Sequence, residues 1–135
     1  MQALLLPVGL DRYAVPLSDV REVLVAPRTT PLPTAPACFR SLINVRGEVV
    51  PLLDTAVLLG LGTLDEMPYA VLVDSRRGVA GLAVSGQPTF VTLDGPADLS
   101  DLPGTKGQYQ CGGHVVVLVD PAALIGSAQE ASDDH

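Results

Sequence analysis

The sequence predicts an all-β protein made of two similar β modules. Short runs rich in valine and leucine recur along the whole chain, and glycine, proline or aspartate separates them, which is the pattern of strands joined by turns. Helical periodicity is weak and confined to short stretches. In addition, a stretch from the middle of the chain is repeated near its end. Together these observations favour barrels or a sandwich.

The length of the chain fits one domain. A protein of 135 residues buries about two thirds of the surface that its unfolded form exposes, so no disulfide is needed to hold the core. We expect the folded domain to cover residues 1–126. The remaining residues, 127–135, are polar and are expected to form a disordered tail.

Nine runs have the composition of strands. In chain order they are ALLLPV, RYAVPL, REVLVA, SLINV, EVVPLLD, YAVLVD, VAGLAVS, TFVTL and HVVVLVD. Polar residues and a glycine at 8–11 and at 74–78 predict hairpin turns there. The segment 26–36 holds four prolines and is predicted to be a rigid surface connector, because proline lacks the amide that a central strand needs. Its alternative interpretation is a ligand for a proline-binding domain.

The internal repeat places two aspartates in equivalent positions. EVVPLLDTAVLLG at 48–60 aligns without a gap on HVVVLVDPAALIG at 114–126, with seven identities in thirteen positions. Each copy predicts a buried strand, an aspartate at a helix N-cap, one or two helical turns, and a glycine that ends them. Asp54 and Asp120 are therefore predicted to be helix caps. The alternative interpretation is a catalytic acid and base pair.

Composition argues against several classes of function. The net charge of −7 is unfavourable for binding nucleic acid, which requires clustered lysine and arginine. The cysteines, Cys38 and Cys111, and the histidines, His114 and His135, are too few and too scattered for a zinc site. No nucleotide-binding or hydrolase motif occurs, so we expect no metal, no cofactor and no catalysis. Two cysteines are too few for a disulfide framework and fit a reducing compartment, so we expect a cytoplasmic protein. No apolar run approaches the roughly 20 residues that span a bilayer, so we expect no membrane insertion.

One polar interruption stands out in the apolar pattern. The run SLINVRGEVVPLLD, residues 41–54, places Asn44, Arg46 and Gly47 between two apolar segments. Glycine adopts positive φ without strain, so Arg46 and Gly47 are predicted to form the tip of a hairpin. A hairpin tip faces solvent. On this stretch alone, Arg46 is either a solubilising turn residue or a residue that contacts a partner.

Several segments together resemble the CheW-like domain, the coupling protein of bacterial chemosensory arrays. They are DRYAVPLSDVREVL, TPLPTAP followed by LINVRGEVVPLLD, YAVLVDSRRGVAGLAV, and GGHVVVLVDPAALI, in the order that the family has them. The resemblance covers about residues 3–126. Its most specific part is the Asn-x-Arg-Gly element followed by a proline and an aspartate.

The resemblance implies two five-stranded SH3-like barrels packed around a shared apolar core, and no catalysis. It also implies an adaptor that couples the cytoplasmic tip of a methyl-accepting chemoreceptor to the regulatory domain of a CheA-type histidine kinase. Arg46 matches the family position associated with receptor coupling, and Asn44 and Gly47 match positions that shape its turn. Three further residues match the segment that borders the groove between the barrels: Val20, Glu22 and Val23.

The chain departs from the family pattern in places. Ser41 stands where glycine is usual, Thr55 where leucine is usual, and Ser85 where many members have aspartate. These differences leave open which receptor and which kinase this member serves. Two alternatives also stay open: a CheW-like adaptor of a type IV pilus system, and an SH3-like regulatory or ligand-binding module that works outside an array.

Overall fold

The computed structural model describes residues 1–32, 38–75, 78–95, 98 and 104–126, and strands dominate this part of the chain. They are β1 (Gln2–Val8), β2 (Asp11–Pro16), β3 (Val20–Val25), β4 (Thr29–Pro31), β5 (Phe39–Val45), β6 (Glu48–Asp54), β7 (Tyr69–Ser75), β8 (Gly78–Val84), β9 (Thr89–Thr92), β10 (Thr105–Cys111) and β11 (His114–Val119). A 3-10 turn (Leu17–Asp19) separates β2 from β3, and the short helix α1 (Thr55–Leu58) follows β6. Residues 121–126 are also helical.

The strands form two sheets. The first sheet has five strands in the order β10-β11-β2-β1-β9, and the second has six in the order β3-β7-β8-β6-β5-β4. Each sheet belongs to one SH3-like subdomain, and the all-β prediction is confirmed. The second sheet exceeds the expected five strands because β4, from the proline-rich segment, pairs with β5. Pro31 is tolerated there because β4 is an outer strand.

The two sheets repeat one another in register. Val45 pairs with Glu48 at the end of the β5–β6 hairpin, and Cys111 pairs with His114 at the end of the β10–β11 hairpin, 66 residues later. Both hairpins also contain a register shift at the same place. The duplication in the sequence is therefore a duplication of structure, down to the position of the irregularity.

Each sheet takes strands from both halves of the chain. The repeated strands β6 and β11 pair in parallel with β8 and β2 respectively, each the second strand of a hairpin. The β1–β2 hairpin belongs to the same half of the sequence as β6, yet it lies in the sheet that contains β11. The two halves have thus exchanged their first hairpins. Neither sheet is complete without both halves of the chain.

The largest buried cluster crosses from one sheet to the other. It includes Leu6 and Val15 from the first sheet and Leu53, Val71 and Leu82 from the second, each at most 1% exposed. Burying a side chain of this kind contributes about 1.5–3 kcal/mol to stability. The two subdomains therefore share one apolar core, as the resemblance implied.

Two of the expectations from the sequence concern residues that the structure does not describe. The part of the proline-rich segment at 33–37 and the tail at 127–135 lie outside the described residues. Within the described ranges, no helix is both long enough and apolar enough to cross a membrane.

Candidate functional site

The turn between β5 and β6 presents Arg46 and Gly47 to solvent. Arg46 has φ of 52° and Gly47 has φ of 87°, which is the type I′ geometry that suits a two-residue hairpin turn. The side-chain Oδ1 of Asn44 accepts a hydrogen bond of 2.9 Å from the Gly47 amide. Asn44 thereby holds the turn closed, so the three residues of the Asn-x-Arg-Gly element form one local structure.

Arg46 makes a bidentate ion pair with Glu22 on β3. Its Nη2 lies 2.6 Å from Oε2 of Glu22, and its Nη1 lies 3.2 Å from Oε1. The Arg46 side chain is 76% exposed and that of Glu22 is 32% exposed. Hydrogen bonding from Arg46 lowers the pKa of the Glu22 carboxyl below its ordinary value, because it favours the charged form. Two residues that the sequence assigned to a binding surface are thus in direct contact.

The ion pair also shows how the second sheet curves. β3 is one outer strand of that sheet, and β5 lies towards the other side, with β7, β8 and β6 between them. Contact between Glu22 on β3 and Arg46 at the end of β5 requires the sheet to curl until its two sides meet. The two residues are 24 positions apart in the chain, so no local sequence pattern predicted this contact.

A depression of about 340 Å³ opens beside the ion pair. Two arginines, two glutamates and four apolar side chains line it: Arg21, Glu22, Val45, Arg46, Glu48, Val50, Leu72 and Val79. Arg21 is also paired with Asp74, with its Nε 2.7 Å from Oδ1. The depression therefore offers hydrogen-bonding groups of both charges around an apolar floor.

The two valines assigned to the same surface have different environments. Val23 lies next to Glu22 on β3 and is 38% exposed. Val20, the first residue of β3, is half-buried and packs against the shared core. Val23 is therefore accessible to a partner, whereas Val20 anchors the strand.

Asp54 is a fully buried carboxylate at the N-terminus of α1. Its Oδ1 accepts hydrogen bonds from the amides of Ala56 at 2.9 Å and Val57 at 3.3 Å, which is N-capping geometry. Its Oδ2 accepts a hydrogen bond of 3.0 Å from the Leu64 amide and lies 3.5 Å from Nη1 of Arg40. The sequence reasoning missed these last two partners, because neither belongs to the helix that Asp54 caps.

Asp120 makes a weaker cap. Its Oδ1 accepts a hydrogen bond of 3.3 Å from the Ala123 amide, and the residue is only half-buried. The main chain repeats more closely than the side chains: the Asp54 amide bonds to the Cys38 carbonyl and the Asp120 amide to the Gly104 carbonyl, both at 2.8 Å. The two aspartates lie at the ends of strands in different sheets, and among the described residues their side-chain oxygens contact main-chain amides and Arg40. This arrangement is that of two caps.

The three departures from the family pattern have different structural consequences. Ser41 and Thr55 are buried, and their hydroxyls have no hydrogen-bond partner among the described residues. Ser85 follows β8, and its Oγ accepts a hydrogen bond of 2.9 Å from the Gly9 amide and donates one of 3.2 Å to the Pro7 carbonyl. Ser85 thereby ties the second sheet to the β1–β2 hairpin of the first.

The remaining reactive side chains do not gather around this site. Across the residues that the structure describes, no group of three or more histidine, cysteine, aspartate or glutamate side chains is arranged to hold a metal ion. Cys38 is buried, and this burial raises the pKa of its thiol. What the surface around Arg46 presents is an ion pair and exposed apolar groups, which are the components of a protein contact.

Known proteins share this sequence pattern. A family model described as the CheW-like domain matches residues 2–130. The probable chemotaxis protein CheW of Rhizobium etli is 32% identical over 88 residues, which cover 64% of this chain and 57% of that protein. Protein PilI of Pseudomonas aeruginosa is 34% identical over 74 residues, which cover 53% of this chain and 42% of that protein. The matched region thus spans about half the length of these relatives.

The fold is shared with a solved structure. The scaffolding protein TtCheW from Thermoanaerobacter tengcongensis, determined by crystallography, matches with a TM-score of 0.74 over 91% of this chain and 90% of that chain, at 18% sequence identity. The family match covers nearly every residue, and the two-sheet architecture agrees with it. The chain belongs to the CheW-like domain family.

Proposed function

We propose that this protein is a cytoplasmic adaptor that couples the tip of a methyl-accepting chemoreceptor to the regulatory domain of a CheA-type histidine kinase. The observation that carries the proposal is the surface ion pair that joins Arg46, exposed on a hairpin tip, to Glu22 on β3. Membership of the CheW-like domain family supports it, as does the similarity to a protein named for chemotaxis.

Arg46 is the residue that contacts the receptor. Its backbone is in the left-handed region, which a residue with a side chain disfavours. Its ion pair with Glu22 is at the surface, where such pairs contribute little to folding stability. Stability therefore does not account for an arginine at this position. A guanidinium has five donors in a planar fork, and those that Glu22 does not engage suit carboxylates or carbonyls on a receptor helix.

The neighbouring residues prepare this contact. Glu22 orients the guanidinium, Val23 adds an exposed apolar group, and Val20 fixes β3 against the core. Asn44 and Gly47 set the shape of the turn. Because these groups are held before the partner arrives, less conformational entropy is lost on binding.

The partners of this adaptor are proteins. The net charge of −7 disfavours nucleic acid. The receptor tip and the kinase regulatory domain bind the same adaptor molecule at once, which is what coupling requires.

The test uses purified components from one organism. The protein is mixed with a receptor tip fragment, with the kinase regulatory domain, and with both, and complexes are measured by sedimentation velocity. We expect two binary complexes and one ternary complex. Binding only to the corresponding proteins of a type IV pilus system would instead assign the adaptor to that system. Binding to none of these proteins would contradict the proposal and favour a regulatory module that works outside an array.

A further inference from the structure

A second depression adjoins Arg46, between β3 and β5, with a volume of about 250 Å³. Val25, Arg28, Asn44, Val45 and Arg46 line it, together with three further apolar side chains. We refer to it as the Arg28 depression. It shares the β5–β6 hairpin with the surface proposed to contact the receptor, so the two surfaces are continuous.

The charge of the Arg28 depression is opposite to that of the protein. The chain has a formal net charge of −7, yet the described residues that line this depression are Arg28, Arg46 and uncharged residues. Since Glu22 neutralises Arg46, the net positive charge here is that of Arg28. The depression beside Glu22 holds two arginines and two glutamates, so its charges balance. A positive patch on an acidic protein attracts a partner that carries carboxylates. A second copy of this chain is a less suitable partner, because two chains of net charge −7 repel each other.

An apolar surface accompanies the positive charge of Arg28. Val25 is 71% exposed, although it is a large aliphatic side chain on a strand. Val45 lies across the depression on β5 and is half-buried. The combination fits a partner segment that presents an apolar side chain next to a carboxylate.

Backbone conformation marks both edges of this depression. Ala26, with φ of 46°, and Arg46, with φ of 52°, are the two non-glycine residues with positive φ in the described part of the chain. The Ala26 amide donates a 2.7 Å hydrogen bond to the Pro68 carbonyl, which fixes the turn that follows β3. That turn leads through Arg28 to β4, which pairs with β5. Strained residues of this kind concentrate at binding sites because surrounding structure must hold them in place.

We propose that the Arg28 depression receives an acidic segment of the receptor tip, with an apolar side chain of the segment against Val25 and a carboxylate paired with Arg28. This inference rests on the proposed function, because it extends the surface around Arg46. It makes Arg28 a second determinant of receptor choice.

The first experiment compares two arginines. Arg28→Glu and Arg12→Glu make the same change of charge at exposed positions, but Arg12 lies on β2 in the first sheet. We expect Arg28→Glu to weaken binding of a receptor tip fragment about tenfold, as loss of a charge-assisted contact does, while Arg12→Glu binds like wild type. Thermal midpoints should be unchanged for both. Equal affinities for the two variants would overturn the inference.

The second experiment removes apolar surface without changing charge. Val25→Ser is compared with Val115→Ser, since Val115 is 50% exposed on β11 of the first sheet. We expect a loss of receptor affinity for Val25→Ser alone. If Arg28→Glu unfolds the protein, this pair still decides the question.

Three outcomes separate this inference from the proposed function. If Arg46→Ala loses receptor binding while Arg28→Glu and Val25→Ser keep it, the proposed function stands and the Arg28 depression is not part of the receptor contact. If Arg28→Glu weakens binding of the kinase regulatory domain but not of the receptor fragment, the depression contacts the kinase and the inference is wrong. If wild type binds no receptor fragment, the proposed function and this inference fall together.

Discussion

The turn between β5 and β6 and the turn between β10 and β11 are two copies of one structure with different side chains. Arg46 and Gly47 have φ of 52° and 87°, and Gly112 and Gly113 have φ of 58° and 81°. The strands on both sides pair in the same register. The hairpin therefore requires positive φ at both positions, and two glycines meet that requirement without strain. An arginine at the first position is strained, so its presence there requires a role for its side chain.

The strand residue that pairs with Arg46 also differs between the two copies. Glu22 pairs with Leu72 in the second sheet, and the equivalent pair in the first sheet is Thr89 with Leu5. The first sheet thus has neither the guanidinium nor the carboxylate at this place. The fold requires the turn conformation and the strand register, which both copies share. The charged pair assigned to partner recognition occurs only in the second sheet.

The largest difference between the copies is expected at the two caps. Asp54→Ala removes the acceptor of three amides and the partner of Arg40 at a fully buried site, and should lower the free energy of unfolding by about 3 kcal/mol or more. Asp120→Ala removes a longer hydrogen bond at a half-buried site and should lower it by about 1 kcal/mol. Urea denaturation of both variants measures this. Equal losses of unfolding free energy in the two variants would contradict the expectation that the buried cap contributes more.

Exchanging the turn residues sharpens the comparison of the hairpins. Gly112→Arg places a side chain at φ of 58° and should lower the free energy of unfolding by about 1 kcal/mol. Arg46→Gly relieves the same strain and loses only an exposed ion pair, so stability should stay unchanged or rise. Thermal denaturation of the two variants decides between these outcomes. A clear loss of stability in Arg46→Gly would show that the arginine serves the fold.

A smaller effect is expected at Thr55, whose counterpart in the other copy is Pro121. The Thr55 hydroxyl is buried without a partner, so Thr55→Val keeps the shape of the side chain and removes an unsatisfied group. The free energy of unfolding should rise by up to about 1 kcal/mol. Thr55→Ser, which keeps the hydroxyl, is the control and should not be stabilised. Destabilisation by valine would mean that the hydroxyl forms a hydrogen bond in solution.

The smallest effect concerns the pH dependence of the ion pair, which the first sheet lacks. Arg46 lowers the pKa of Glu22 from its ordinary value of 4.5, so the stabilisation is complete above that pH and is lost as pH falls through the lowered pKa. In Arg46→Gly the pKa should move back up, because the hydrogen bonds are gone. The titration of the Glu22 carboxyl carbon by NMR follows this shift. An identical midpoint in both proteins would show that the pair does not form.

Sequence reasoning worked where the contacts are local. The turn at Arg46 was predictable because Asn44 and Gly47 lie within three residues of one another. The cap at Asp54 was predictable because its Oδ1 accepts hydrogen bonds from the amides two and three residues later. The repeat also gave two similar modules, since the same strand pattern occurs twice.

Contacts made by closing a sheet were not predictable. Glu22 meets Arg46 only because the second sheet curls, and no local pattern records that curvature. The exchange of hairpins between the halves leaves the strand pattern of each half unchanged, so it leaves no mark in the sequence. Ser85 illustrates the same limit, because its partners Gly9 and Pro7 lie in the opposite half of the chain.

The affinity of a receptor tip fragment for Arg46→Gly tests the central claim most directly. Glycine is the residue that the β10–β11 turn has at this position, so the variant keeps the hairpin and removes only the guanidinium. The expected result is binding at least about tenfold weaker than wild type at an unchanged thermal midpoint, with Arg12→Gly as the control that keeps wild-type affinity. Wild-type affinity in Arg46→Gly would contradict the claim that this side chain is there for a partner.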